Sequence, residues 1–298
     1  MERRTASRHI SFRAQYMDRI LHYRANLFFE SGSTVAYVAK SLSERLADEV
    51  RIGDDGEPTL QICTNNVLAY LSLWLCAKVP CSPFPWSPPL ETRYGAWYGG
   101  LEEKENKLPT YDQRPLDDVA KQEICKLLRH PYGPGRLNTR PTLLLGAASG
   151  LQLTPHHQPM FSIDVDEETR QRSQRLLAGC FGPHVGSYHN KVFKRFMYAT
   201  RFPMVLFISS EKIDCPIHLD RCHFILDSEL PWDEFRRTHP LAICVGCLDT
   251  ELDHLEWLFG DAGFEVIDAG NPARFTAFIA RNRAFIEQFE SWSGPVAG

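Results

Sequence analysis

The sequence predicts an α/β protein in three layers, with a mainly parallel sheet between two layers of helices. Segments of strand length alternate with segments of helical period, and several strands, such as residues 203–208, are apolar at nearly every position. Continuous apolar strands are typical of parallel sheets, because helices cover both of their faces. The 298 residues, 43% of them hydrophobic, are enough to bury a substantial core.

The elements follow from apolar periodicity. An amphipathic helix is predicted at residues 9–24. Strands are predicted at 26–30, 59–64, 142–147, 161–165, 204–209, 222–226, 241–247 and 264–267, and helices at 34–49, 66–77, 116–129, 167–178, 188–201, 231–238, 250–262 and 272–291. Asn271 and Pro272 suit the N-cap and first position of the last helix. The proline-rich stretch 79–92 is predicted to be a rigid loop or an irregular edge strand.

Composition excludes several classes of protein. No window approaches the roughly 18 consecutive apolar residues of a membrane span, and the basic amino terminus lacks the apolar region of a secretory signal. A net charge of -4 and a pI near 6.3 provide no general attraction to nucleic acid. We therefore expect a cytoplasmic protein that binds neither membrane nor DNA directly.

The cysteines are predicted to be reduced and structural. Cys244 and Cys247 have the spacing of a redox pair or half a zinc site, but they lie in an apolar strand, where alternate residues point to opposite faces. The sequence has no GxxxxGK[ST], HExxH, GxSxG or GxGxxG motif. No metal and no cofactor are expected.

A polar turn joins the first two elements of the α/β pattern. Ser31, Gly32, Ser33 and Thr34 follow a strand and precede Val35, which begins a helical apolar pattern. Free backbone N–H groups and the positive end of the helix dipole meet at such a turn and suit a phosphate or carboxylate. A plain N-cap explains the same residues equally well.

Similar polar clusters follow other strands. They are Thr64-Asn65-Asn66, Gly146-Ala147-Ala148-Ser149-Gly150 and Ser209-Ser210-Glu211-Lys212, and Gly99-Gly100 comes after the proline-rich stretch. The clusters after strands lie at carboxyl ends, where open α/β sheets bind their ligands.

In their order, these clusters resemble the ligand-sensing domain of the DeoR-type sugar regulators, which share a superfamily with ribose-5-phosphate isomerase and the CoA-transferases. The usual signature of that domain is DSGST, TNS, GG, GADG and DSSK. The resemblance implies a Rossmann-like fold that binds a phosphorylated sugar or a nucleotide-like ligand. It divides the chain into an N-terminal helix at 1–24, the ligand-binding domain at 25–247, and a C-terminal α/β extension at 248–298 that packs on the same domain.

By this resemblance Gly32, Ser33 and Thr34 would hold the phosphate, and Lys212 would supply a cation. The remaining ligand-binding positions implied are Glu30, Ser31, Thr64, Asn65, Asn66, Gly99, Gly100, Gly146, Ala147, Ala148, Ser149, Gly150 and Ser209. Glu30 and Asn66 stand where the family has aspartate and serine, and both GAASG and SSEK lack the family's aspartate. An atypical ligand is therefore expected.

The regulators also carry a winged helix-turn-helix before the sensor, and the 24 residues before the first strand are too few for it. The leading hypothesis is a metabolite sensor that acts through a protein partner or a change of homo-oligomer. The alternative is a sugar-phosphate isomerase or lyase that uses Glu211 or Asp214 with Lys212. A third hypothesis is a regulatory or scaffold subunit whose pocket no longer binds.

Overall fold

The computed structural model describes residues 25–30, 32–49, 60–74, 81–83, 142–154, 166–168, 171, 181–186, 191, 194–195, 197–198, 202–215, 222–226, 230–268 and 275–291. The predicted N-terminal helix, the turn residue Ser31, Gly99-Gly100 and the predicted strand 161–165 lie outside these residues. Among the described helices, none is long and apolar enough to cross a membrane.

Eleven strands are described: β1 Ala25–Phe29, β2 Leu60–Thr64, β3 Cys81–Pro83, β4 Thr142–Ala147, β5 Gly150–Gln152, β6 Gly182–Val185, β7 Met204–Ser209, β8 His223–Phe224, β9 Leu241–Leu248, β10 Glu265–Asp268 and β11 Phe275–Arg281. The α-helices with described bounds are α1 Ser33–Glu49, α2 Val67–Trp74, α3 Trp232–Thr238, α4 Leu252–Asp261 and α5 Arg283–Ser291. Short 3₁₀ turns cover Ser210–Lys212 and Asp249–Glu251, and residues 191, 194, 195, 197 and 198 are helical.

The main sheet has eight strands in the order β10-β11-β9-β7-β4-β1-β2-β3. The six strands from β9 to β3 pair in parallel, while β11 runs in the opposite direction between β9 and β10. Strands β5, β6 and β8 form a separate antiparallel sheet. Its first strand follows directly after β4, beyond the carboxyl edge of the main sheet.

Apolar side chains alternate between the two faces of the main sheet, as the two-residue period of a strand requires. One face, which we call the α1 face, carries Leu27, Phe29, Leu145 and Phe207 and packs against α1, α2 and Phe285 of α5. The other, the α4 face, carries Phe28, Leu144, Leu206 and Ile243 and packs against Tyr198, Phe235 of α3 and Phe259 of α4. The chain is thus a Rossmann-like three-layer α/β fold with a mainly parallel sheet.

The prediction of one helix over residues 272–291 is wrong. Phe275–Arg281 is strand β11, and the helix α5 begins at Arg283. The spacing of Phe275, Phe278 and Ile279 fits a helix, but the stretch is also a short apolar run, and it pairs with β9 on one side and β10 on the other. These two ladders satisfy the backbone of β11, and Asn282 then caps α5 by accepting a hydrogen bond from the Phe285 N–H.

Cys244 and Cys247 are both buried, and neither forms a disulfide, as predicted. Cys244 lies in the core of the α1 face and Cys247 in the core of the α4 face. The sheet therefore separates the two thiols, and they are not a redox pair.

Candidate functional site

The parallel strands change their order between β1 and β4. From β1 the chain proceeds through α1 to β2 and β3 on one side, and it returns to β4 on the other side of β1. In doubly wound sheets the connections diverge at such a point and leave a ligand-binding crevice at the carboxyl ends of the two strands. We use the word crevice for this edge of β1 and β4. Four of the predicted polar clusters follow β1, β2, β4 and β7, which are neighbours, so they meet at this edge.

The amino terminus of α1 stands at this crevice. Gly32 is exposed and has a φ of 129°, a left-handed conformation that favours glycine. Its carbonyl accepts the first helical hydrogen bond, from the Ala36 N–H at 3.1 Å, so Gly32 is the N-cap and brings no side chain to the helix start. No acidic residue lies in the first turn of α1. The backbone N–H groups of Ser33 and Thr34 thus belong to the positive end of the helix.

Thr64 and Asn66, two of the predicted ligand-binding residues, hold the loop after β1. Thr64 donates a hydrogen bond to the Phe29 carbonyl at 2.7 Å. The Asn66 amide donates to the Gly32 carbonyl at 2.8 Å and to the Glu30 carbonyl at 3.3 Å. The same side chain caps α2 through its oxygen. Both residues therefore fix the backbone that carries the crevice.

A buried ion pair lies on the α4 face of the crevice. Glu30, the residue after β1, is 3% exposed, and its carboxylate lies 2.5 Å from the ammonium of Lys194. Lys194 also donates to the Ala147 carbonyl at the end of β4, at 2.6 Å. Gly146 makes room for the pair, because a Cβ there would lie 2.6 Å from Glu30 Oε2. The ion pair thus joins the ends of both crevice strands to the helical segment before β7.

Tyr198 lies one helical turn after Lys194 and is 1% exposed. Its ring stacks on Phe235 with 5.2 Å between centroids. Within the described part of the chain, the Tyr198 hydroxyl has no hydrogen-bond partner. Burial raises the pKa of Tyr198, and the nearby charge of Glu30 raises it further. The group therefore remains a neutral phenol that can both donate and accept a hydrogen bond.

The pKa of Glu30 is set by two opposing effects. Burial raises the pKa of Glu30, and the Lys194 charge lowers it without cancelling the effect of burial.

Sequence reasoning missed Lys194 and Tyr198. The available signal was their spacing of four residues, which places a lysine and a tyrosine on one face of the predicted helix 188–201.

Ser209 ends β7 at the same edge of the sheet. It is 3% exposed, and alternation with Val205 and Phe207 puts it on the α1 face. Among the residues that the structure describes, none hydrogen bonds to the Ser209 hydroxyl. The hydroxyl of the next residue, Ser210, by contrast donates a hydrogen bond to the Glu251 carboxylate at 2.8 Å.

The predicted catalytic residues Glu211, Lys212 and Asp214 lie together in the turn after β7. The Asp214 carboxylate accepts hydrogen bonds from the backbone N–H groups of Leu153 and Thr154, at 2.7 and 3.2 Å, and from the Thr154 hydroxyl at 3.1 Å. Glu211 is exposed and Lys212 is half-buried. Asp214 thus anchors the loop after β5, a structural role that occupies both of its carboxylate oxygens.

The predicted loop from Gly146 to Gly150 leads away from the crevice toward the small sheet. Gly150 leaves room there for a side chain, because a Cβ would lie 2.3 Å from Nε2 of His184, a buried residue that sequence reasoning did not single out. Burial lowers the pKa of His184 to about 4, and the charge of Lys212 contributes in the same direction. His184 is therefore neutral at physiological pH.

Comparison with known proteins adds only distant structural resemblance. No protein-family model matches the chain, and no curated protein matches it. Among solved structures, ribose 5-phosphate isomerase from Plasmodium falciparum has a TM-score of 0.32 and 7% identity, covering 98% of this chain and 88% of its own. Ribose 5-phosphate isomerase A from Methanocaldococcus jannaschii has a TM-score of 0.27 and 8% identity, covering 99% and 87%. The Neisseria gonorrhoeae isomerase has a TM-score of 0.29 and 7% identity, covering 98% and 83%.

These TM-scores carry no inference about what this chain binds. The resemblance to the sugar regulators likewise stays a prediction.

Proposed function

We propose that this chain is a sensor that binds a phosphorylated small molecule, a sugar phosphate or a nucleotide-like ligand, in the crevice between β1 and β4. One observation carries the proposal: the buried Ser209 hydroxyl, which has no partner among the described residues, lies on the same face and the same edge of the sheet as the amino terminus of α1.

Charge and hydrogen bonding favour an anion at this position. The first N–H groups of an α-helix lack intrahelical acceptors, and the helix dipole adds positive potential. Gly32 brings no side chain that would compete for those groups, and its exposure allows a ligand to approach the backbone. A serine hydroxyl at the same edge adds one donor to a phosphate oxygen.

Binding is favoured over chemistry by the position of Asp214. An acid or base must reach the atom whose proton it transfers, but this carboxylate already accepts three hydrogen bonds from residues 153 and 154. We therefore place the output of binding in a partner protein or in a change of oligomer, as expected for a sensor.

Thermal shift with inorganic phosphate, glucose 6-phosphate and AMP tests the proposal. A ligand that binds only the folded chain stabilises it by about 2.7 kcal/mol at a hundred times its Kd. The Ser209→Ala variant should bind the effective probe roughly ten- to a hundredfold more weakly, since a hydrogen bond to a charged group contributes about 1.5–3 kcal/mol. The matched control is Ser43→Ala, whose hydroxyl donates to the Lys40 carbonyl further along α1.

Three results would contradict the sensor hypothesis or the location of its site. If no phosphorylated probe raises the melting temperature, a scaffold without a ligand becomes the better account. Equal loss of affinity in Ser209→Ala and Ser43→Ala would remove the α1 edge as the binding site. Turnover of glucose 6-phosphate that disappears in Lys212→Ala would identify an enzyme instead.

A further inference from the structure

The outer side of α4 carries the most exposed large hydrophobic side chain among the described residues. Trp257 is 65% exposed, whereas the inner side of the helix is buried in the core through Leu255 and Phe259. The ring of His254, one turn earlier, lies at 21° to the Trp257 ring, with 6.4 Å between the centroids. Both side chains are exposed, so the two rings together offer an aromatic surface to solvent.

Carboxylates flank this aromatic surface. Asp253 and Asp261 lie four residues before and after Trp257. The three side chains therefore share one side of the helix, with about 6 Å along its axis between neighbours. Glu256, next to Trp257 in the sequence, is partly exposed. Within the described part of the chain, the carboxylates of Asp253, Glu256 and Asp261 have no hydrogen bond or ion pair.

No basic side chain nearby in the sequence balances these charges. Residues 238–273 include seven acidic residues and no lysine or arginine. Asp261 is the last residue of α4, where its negative charge meets the negative end of the helix dipole. A cation that binds between Asp253 and Asp261 would relieve both the repulsion between the carboxylates and this unfavourable contact with the dipole.

Gly260 follows Trp257 by three residues and is exposed. A Cβ at this position would meet no atom within 4 Å, so packing inside the chain does not require a glycine. A glycine within a helix destabilises it relative to alanine. Its effect here is to leave open space beside the Trp257 ring, where the backbone of another molecule can approach closely.

We propose that the outer side of α4 binds an arginine-bearing segment of a partner protein. This surface, which we call the Trp257 surface, consists of Asp253, His254, Trp257, Gly260 and Asp261. The planar guanidinium of arginine stacks on a tryptophan ring and pairs with carboxylates through parallel hydrogen bonds, whereas a lysine ammonium is only a point charge. The inference rests on the proposed function in one respect, which is that such a sensor passes its signal to a partner protein.

The spacing of the Trp257 surface indicates an extended partner segment. Asp253, Trp257 and Asp261 follow one another at about 6 Å along the helix. Alternate residues of an extended chain are about 6.6 Å apart. Arginines at alternate positions of the partner segment can therefore contact the two carboxylates and the ring in turn.

The alternative is a solvated helix face without a partner. Single exposed hydrophobic side chains are common on protein surfaces and need no explanation by themselves. Here, however, the exposed tryptophan coincides with a helical glycine and with an acid at the carboxyl end of the helix, and both of these cost stability in the free chain. Tryptophan and arginine are also among the residues that contribute most to binding at protein interfaces.

Titration calorimetry of the full chain at low salt tests the proposal with two blocked hexapeptides, Arg-Ala-Arg-Ala-Arg-Ala and Lys-Ala-Lys-Ala-Lys-Ala. The arginine peptide should bind about two- to fivefold more tightly, the effect of one exposed cation–π contact. Trp257→Ala should remove this preference, and Asp253→Asn combined with Asp261→Asn should weaken the binding of both peptides. Tyr37→Ala, which removes an exposed aromatic ring from α1, is the matched control and should change neither affinity.

Four results would contradict the Trp257 surface. They are equal affinity for the two peptides, no binding of either peptide, a preference for arginine that survives Trp257→Ala, and an equal loss of affinity in Tyr37→Ala. If Trp257→Ala instead converts a dimer into a monomer in sedimentation, a second copy of the chain occupies the surface and the proposal is wrong. These measurements use no phosphorylated probe, so their failure is separate from a failure of the proposed phosphate site at α1.

Discussion

The two edges of the main sheet treat buried polar groups differently. At the amino edge of the parallel strands, Asn282 makes four side-chain hydrogen bonds of 2.6–3.1 Å. Its oxygen accepts from the N–H groups of Leu241 and Phe285. Its amide donates to the carbonyls of Arg236 and His239. These bonds lock the start of β9 to the start of α5. The hydrogen-bonding groups of the Asn282 side chain are thus all used.

The carboxyl edge has an asparagine with the same pattern. Asn66 caps α2 through its oxygen and donates to the carbonyls of Glu30 and Gly32. Beyond that anchor, however, the hydroxyls of Tyr198 and Ser209 have no partner among the described residues. Buried polar groups are usually hydrogen bonded, so these two hydroxyls differ from the Asn282 side chain, and the proposed binding site rests on the Ser209 hydroxyl.

The largest effect is expected from Lys194→Met, which leaves the Glu30 carboxylate buried without its counter-charge. Removal of one member of a buried pair destabilises by about 3–5 kcal/mol. Urea denaturation should give this loss for the single variant and a much smaller one for Lys194→Met combined with Glu30→Gln. Lys40→Met, at an exposed position of α1, is the control.

The loss in Lys194→Met should also depend on pH. Burial already raises the pKa of Glu30 in the folded chain, and removal of the lysine raises it further. The folded state then holds a proton more tightly than the unfolded state, so stability falls as pH rises from the unfolded pKa through the folded pKa. A loss of equal size at pH 5 and pH 8 would contradict the buried ion pair.

A matched comparison of Asn282→Ala and Asn66→Ala should separate structure from binding. Each variant removes an N-cap and the amide that donates to two carbonyls, and each should lose about 2–4 kcal/mol of unfolding free energy. Only Asn66→Ala should also weaken phosphate binding, because its amide holds the Gly32 carbonyl at the start of α1. Equal weakening in both variants would mean that general destabilisation, and not the crevice, explains the loss.

The sequence predicts the strands around this site better than the side chains that meet there. The strands at 142–147 and 204–209 have the predicted bounds, because long apolar runs leave few alternatives. The short strands β5 and β6 were missed, since three or four residues that include glycine and proline carry no clear period.

Because the carboxyl ends of neighbouring parallel strands lie at one edge of the sheet, the sequence correctly predicts that the turn at Gly32 lies next to the loop at Gly146. The strand pattern does not predict which helical residues pack against the face of the sheet. Lys194 and Tyr198 come from a helical segment, and residue type alone does not reveal that a lysine is 3% exposed. The partner that makes its burial tolerable, Glu30, is 164 residues away in the sequence.

The smallest effects are expected at two glycines. Gly146→Ala puts a methyl group 2.6 Å from Glu30 Oε2 and 3.3 Å from a Leu206 methyl. Because Lys194 holds the carboxylate, the contact cannot relax freely, and a loss of about 1–3 kcal/mol is expected from overpacking. Gly260→Ala meets nothing within 4 Å on the exposed side of α4 and should stabilise by about 0.5–1 kcal/mol, since alanine loses less backbone entropy in a helix. If Gly146→Ala lowered the melting temperature no more than Gly260→Ala does, the Glu30 carboxylate would be free to move. The ion pair would then not be the fixed element that joins β1, β4 and the helical segment before β7.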